Sequence, residues 1–215
     1  MTEAEIVALG ADHMQAAASI RRVALWQRLP WLPDLHTPDE EEQYWRMHLL
    51  PNCTILGAAM GNRLAGVIAY GDDWIEQLYV LPDFQGIGIG SLLLGCAQEE
   101  MDEIRLWTFQ RNTGARAFYE RHGFSVEEET DGADNEEKEP DVRCHWRRLP
   151  ELTPGLRPSG GKNQGLPNAL PGRNMNPRRP DLRSRRQRKR ECRNQPALVW
   201  PRNSRSPWTM HSSGR

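Results

Sequence analysis

LYVLPDFQGIGIGSLLL, residues 78–94, sets three glycines, Gly86, Gly88 and Gly90, between an apolar run and a leucine-rich stretch. Glycines at alternate positions let the chain turn sharply and leave backbone N–H groups uncovered, so an anion can approach the start of the following helix closely. The run before them reads as a strand that Pro82 ends. Strand, glycine turn and helix together read as a phosphate cradle, and the kind of cradle decides the function.

Two familiar cradles fit poorly. A dinucleotide fingerprint needs G-x-G-x-x-G at the first strand of its unit, but counting from Gly86 puts Ser91 at the third glycine, and several elements precede it. A P-loop needs Gly-Lys-Ser/Thr at its end, and no lysine follows these glycines.

Upstream, WIEQLYVL (74–81) is rich in aromatic and β-branched residues and reads as a strand. CTILGAAM (53–60) and LAGVIAY (64–70) read as two strands turned at Gly61 and Asn62. Thr37, Pro38 and Glu40 spell a capping box, and the acids at 39–42 sit where a helix dipole favours negative charge, predicting a helix from about Pro38 to Leu49. EIVAL (5–9) reads as a first strand, followed by a helix over residues 11–29. Downstream, Leu93, Ala97 and Met101 recur at intervals of four on one helix face. IRLWTFQ (104–110) alternates as a strand, Asn112 caps the helix NTGARAFYERH, Gly123 ends it, and FSVEEET and VRCHWRR supply two closing strands. The order is βααβββαβαββ, an α/β sheet with helices on both faces.

Residues 1–150 carry 26 Asp+Glu against 13 Lys+Arg, a net of −13, whereas residues 151–215 carry 3 against 15, a net of +12. The second segment has nine prolines, six glycines and the run RSRRQRKR (183–190), with no periodic apolar face. A domain over 1–149 and a disordered tail over 150–215 are expected. The tail invites a nucleic-acid reading, with Trp200 and Trp208 available for stacking, but a solvated extension is the favoured expectation; so abrupt a break is also what a shifted reading frame would produce. The four cysteines are scattered without C-x-x-C spacing, so no metal is expected. No run reaches the ~20 apolar residues that span a bilayer, and the N-terminus has no secretion segment. A cytoplasmic protein without a membrane partner is the default expectation.

Gln85, Gly88 and Gly90 complete Q-x-x-G-x-G, directly off a strand and opening a helix. With it, IEQLYVLPDFQG, the N-x-x-A-x-x-F-Y pattern of NTGARAFYERHGF and the element order resemble the GNAT superfamily of acyl-CoA-dependent N-acetyltransferases over most of residues 1–148. The resemblance implies a GNAT-like mixed sheet and acetyl-CoA as co-substrate, its pyrophosphate held by Gln85, Gly86, Ile87, Gly88, Ile89, Gly90 and Ser91. Such turns often carry Lys or Arg where Ile87 stands; losing that charge would cost about 1 kcal/mol at an exposed site, leaving backbone N–H groups to hold the diphosphate.

The resemblance also implies that the Leu78–Val80 main chain pairs with the pantetheine arm and thioester, with Asn112 touching the arm. Asn112 and Tyr119 are seven residues apart, about 10 Å along one helix face. Tyr119 is the implied acid for the leaving thiolate, its alternative being a half-buried aromatic beside Phe118. An amine is mostly ammonium at neutral pH, so a base is useful. Glu76 is the candidate, against a plain solvated strand carboxylate, with Asp72 and Asp73 weaker. Trp31, Leu32, Asp34 and His36 fall in the segment that walls the acceptor side in many relatives, though loop packing explains the tryptophan equally well. His122 reads as a charge at a helix C-terminus rather than a catalyst. Cys144 and His145 are adjacent and, in a strand, point to opposite faces.

The expected reaction is acetyl transfer to a small-molecule or protein amine in a ternary complex. The alternatives are a catalytically silent coenzyme-binding module of the same fold and a nucleic-acid-binding protein led by its tail. A homodimer is a reasonable expectation, although the sequence carries no mark of oligomeric state.

Overall fold

The computed structural model describes residues 3–149, so the expected domain boundary at 149–150 and everything assigned to the basic tail lie outside the described residues. β1 (Glu5–Ala8) leads through a 3-10 turn into α1 (Met14–Arg28). The capping box forms as predicted: the Glu40 N–H donates to the Thr37 hydroxyl at 3.3 Å and the Thr37 N–H to the Glu40 carboxylate at 2.8 Å. It starts α2 (Pro38–Tyr44), which runs on through a π-helical stretch, Trp45–Leu49, into a last turn, α3 (Leu50–Asn52). The predicted single helix is thus one rod with a re-phased middle. The Leu50 N–H reaches back five residues to the Trp45 carbonyl, and the wider turn lets Tyr44, Trp45 and Leu49 all bury.

The rest follows the expected order: β2 (Thr54–Met60), β3 (Arg63–Gly71), β4 (Trp74–Val80), α4 (Ile89–Glu100), β5 (Glu103–Phe109), α5 (Thr113–Arg121), β6 (Ser125–Glu129) and β7 (Asp141–Arg147). Met101, expected on the face of α4, is instead its extended C-cap, since the chain must turn at once to enter β5.

The strands form one sheet in the order β1-β2-β3-β4-β5-β7-β6. β1 to β4 pair antiparallel, as do β5, β7 and β6. The two halves meet in parallel through the single register pair Trp74↔Arg105, with the Arg105 N–H donating to the Asp73 carbonyl at 2.8 Å. Beyond that pair β4 has no ladder partner on its β5 side among the described residues, so the sheet parts into a cleft. Glu76 is the extra residue of a β-bulge, because Ile75 pairs with Tyr70 and Gln77 with Ala69. A bulge strengthens local twist, which turns β4 away from β5 just past their contact.

Each face of the sheet buries its own core. On one, Leu93, Leu94 and Ala97 of α4 and Tyr119 of α5 pack on Ile68, Ile75, Ile104 and Leu106. On the other, Met14, Ala17 and Ala18 of α1 with Tyr44 and Trp45 pack on Ile55, Val67 and Ala69. Neither α1 nor α4 is long and apolar enough to cross a membrane, nor is any other helix among the described residues.

Candidate active site

The cleft ends in the glycine turn. Gly86 and Gly88 have φ of +78° and +96°, values that L side chains rarely adopt, and a Cβ at either would meet nothing within 4 Å, so both face open space. Gly90 has a different reason: a Cβ there would lie 3.3 Å from the Phe118 ring. Ile89 is buried and fixes the loop to the core, whereas Ile87 is 61% exposed. Gly88 is the N-cap of α4 and no side chain caps the helix. The N–H groups of Ile89, Gly90 and Ser91 therefore point out of the helix end, with the helix dipole favouring an anion in front of them.

Ser91 and Gln85 have their side chains engaged within the protein. The Ser91 hydroxyl lies 2.9 Å from His122 Nε2, whose Nδ1 lies 2.7 Å from the Phe118 carbonyl, so His122 ties the end of α5 to the first turn of α4. Gln85 Nε2 donates to the Val80 carbonyl at 2.9 Å, folding the turn back onto its strand, and Gln85 Oε1 accepts from Arg28 Nη2 at 2.9 Å.

The direction of the β4 main chain follows from its pairing with β3. Leu81 N–H donates to the Ala65 carbonyl at 2.8 Å. Alternation then aims the main-chain groups of Tyr79 and Gln77 at β3, and those of Leu78 and Val80 into the cleft. The Val80 carbonyl is the one Gln85 occupies. The remaining groups of Leu78 and Val80 form a short unpaired edge leading to the cradle.

Across the cleft, Asn112 caps α5 by accepting from the Ala115 N–H at 3.2 Å, which leaves its NH₂ group for another partner. Tyr119, 8% exposed, packs against Phe118 and Phe124 with ring centroids 5.2 and 5.4 Å away. Burial pushes its phenol well above the ordinary value, with Tyr79 and Cys144 adding to the shift. Burial raises the Cys144 thiol too.

Glu76, on the bulge, is open to solvent on one side yet enclosed enough that burial raises its carboxyl above the usual range, Asp72 adding to the effect. It faces Tyr44 and Cys53, whose thiol is pushed up to about 12 mainly by burial and then by Glu76. Asp72 and Asp73 form the β3–β4 hairpin turn at φ +49° and +66°, as a two-residue type I′ turn requires.

The loop between α1 and α2 is held by charge pairs. Trp31 lies under the Arg111 guanidinium at 3.8 Å, Asp34 pairs with Arg22, and His36 Nε2 lies 3.0 Å from Glu136 on the β6–β7 loop. Leu32 is buried. Beneath them, Arg21 and Arg22 each meet Glu41 at 3.0 Å, and Glu41 is 3% exposed. Glu137 is raised by burial, with Arg21 and His36 pulling the other way. Cys144 turns into the core, while His145 turns toward Glu103 at 3.6 Å. No group of three or more His, Cys, Asp or Glu among the described residues is placed to hold a metal ion.

Arg28 and Arg111 are the site residues that sequence reasoning missed. Both lie far along the chain from the partners they meet, and neither sits in a recognisable pattern.

The sheet splits beside a bare helix start, between helices on both faces, and solved N-acetyltransferase structures share this fold. The family model described as "Acetyltransferase (GNAT) family" matches residues 20–124 of the 215. Among solved structures, the apo form of YjaB from Escherichia coli matches with a TM-score of 0.57 and 19% identity, over 68% of this chain and 99% of that one. The PaiA N-acetyltransferase of Thermoplasma acidophilum, solved with coenzyme A, matches with a TM-score of 0.52 and 22% identity, over 67% of this chain and 99% of that one. At these identities the likeness is one of fold. A Methanocaldococcus jannaschii protein described as an uncharacterized N-acetyltransferase is 38% identical over 63 residues, 27% of this chain and 28% of that protein.

Proposed function

We propose that the protein transfers an acetyl group from acetyl-CoA to an amine by direct attack within a ternary complex. The observation that carries this reading is the open edge formed by the Leu78 main chain and the Val80 N–H, beyond the single β4–β5 register pair, leading into the uncapped start of α4. A thioester arm needs a strand edge to lie on, and its diphosphate needs fixed N–H donors at the end of that edge. Asn112, through its free NH₂, holds the arm from the α5 side.

The amine must lose a proton before it attacks, and Glu76 accepts it directly or through one water. A raised carboxyl suits this work, because a base matched to the operating pH leaves the proton less reluctantly bound to the amine. The free pair then attacks the carbonyl carbon, and the tetrahedral oxyanion meets main-chain N–H donors of the open edge. Collapse breaks the C–S bond, and Tyr119 donates its proton to the departing thiolate, regaining one from solvent. Burial keeps the phenol protonated but makes it a reluctant donor. The same burial raises any thiol beside it, as Cys144 illustrates, so donor and acceptor shift together.

Release of thiol from acetyl-CoA with a panel of amines tests the reading; acceleration by an amine is expected, and none from any acceptor would contradict it. In the active enzyme the rate should rise with pH through a carboxyl titrating above the usual range. Glu76→Gln should lose that limb and about tenfold of the rate, the modest end of base catalysis because water can relay. Stability should move oppositely. A folded-state pKa above the unfolded one means that stability falls as pH rises from the ordinary carboxylate value through the raised one. Glu76→Gln should therefore melt higher than wild type at neutral pH and lose that advantage in acid. An unchanged pH–rate profile would remove Glu76 from the base role.

A further inference from the structure

The glycine turn offers no cation of its own, since Ile87 stands exposed on it. A guanidinium arrives from elsewhere in the chain. Arg28 is the last residue of α1, and its Nη2 donates to Gln85 Oε1 at 2.9 Å, at the foot of the turn. Its other side reaches the start of α5: a Cβ on Gly114 would lie 3.7 Å from Arg28 Nη1 and 4.0 Å from Asn112 Oδ1. Arg28 therefore spans the cleft mouth from the β4–α4 turn to the α5 cap. Its one hydrogen-bond partner is a neutral amide, and no carboxylate lies within ion-pair distance among the described residues. The other arginines of α1, Arg21 and Arg22, are both committed to carboxylates.

We infer that Arg28 is the cation of the diphosphate site, a binding residue that stands in for the charge missing at position 87. The inference rests on the acetyl-CoA reading of the cleft. A guanidinium fits a phosphate with paired N–H donors, and it keeps several donors free after serving Gln85. Its place at the carbonyl end of α1 holds it there without another anion. Gln85 is then a positioning residue: by accepting from Arg28 and donating to Val80 it fixes both the guanidinium and the strand edge with one side chain.

Calorimetry with coenzyme A on wild type, Arg28→Gln and Arg28→Lys tests this, beside an NMR titration of each protein with S-acetylpantetheine, which has no phosphate. Arg28→Gln should weaken coenzyme A binding about tenfold, as expected for one charge-assisted contact. The salt dependence of binding should also become shallower, and Arg28→Lys should restore part of the affinity. Affinity for S-acetylpantetheine should stay at the wild-type value in every variant. Unchanged coenzyme A affinity in Arg28→Gln would overturn the inference, as would an equal loss for both probes, which would make Arg28 only a brace for Gln85. A wild-type protein that binds no coenzyme A would instead overturn the reading of the cleft itself.

Discussion

Gly88→Val is expected to raise the dissociation constant for coenzyme A by at least about 100-fold. At φ +96° a β-branched side chain is strained, at a cost of roughly 1 to 2 kcal/mol. The chain can relieve that strain only by rotating Gly88 to negative φ, and this rotation swings the following N–H groups away from their common focus. Each hydrogen bond to a charged group is worth about 1.5 to 3 kcal/mol, so loss of two accounts for the expected fall. Because nothing lies within 4 Å of a Cβ at Gly88, the effect comes from backbone conformation and not from a clash with the core. Gly95, inside α4 and also free of neighbours within 4 Å, is the control. Gly95→Ala should bind coenzyme A normally and gain about 0.5 to 1 kcal/mol in stability.

The second large effect belongs to turnover. Tyr119→Phe removes one oxygen from a side chain that packs by its ring against Phe118 and Phe124. The fold should tolerate this, and coenzyme A affinity should change by less than about threefold, because the hydroxyl is assigned no part in holding the ground state. The catalytic rate should fall about 10² to 10³-fold, the range for losing a positioned general acid. Acetyl-CoA thiol-release kinetics read the rate and calorimetry reads the affinity. A variant that turns over normally would free Tyr119 from the acid role, whereas a protein in which neither form turns over would be the silent coenzyme-binding module.

Local chemistry made much of the fold legible. The Thr37–Glu40 capping box, the Gly61–Asn62 turn, the Asn112 cap and the Gly123 stop depend on residues a few positions apart, and each is found where its pattern places it. The positive φ of Gly86 and Gly88 belongs to the same class of signal. What escaped depends on distant parts of the chain. The π-helical stretch at Trp45–Leu49 answers to the core it packs on, and the Glu76 bulge to its register with β3. Gln85 belongs to the motif, but its grip on Arg28, 57 residues away, required knowing which helix ends beside the turn. For Trp31, Asp34 and His36, the partners Arg111, Arg22 and Glu136 become visible only when three loops and helix α1 are brought together. An amphipathic pattern says that a side chain faces outward and leaves open what it meets there.

The central claim is that backbone amides of one turn and one strand edge hold the donor. An amide-resolved NMR titration with coenzyme A reads those groups one by one. The expected result is that the largest shifts fall on Gly86, Gly88, Ile89, Gly90 and Ser91, with Leu78 and Val80 moving along the same binding curve. Saturable binding that leaves these amides unmoved, or no binding at all, would contradict it.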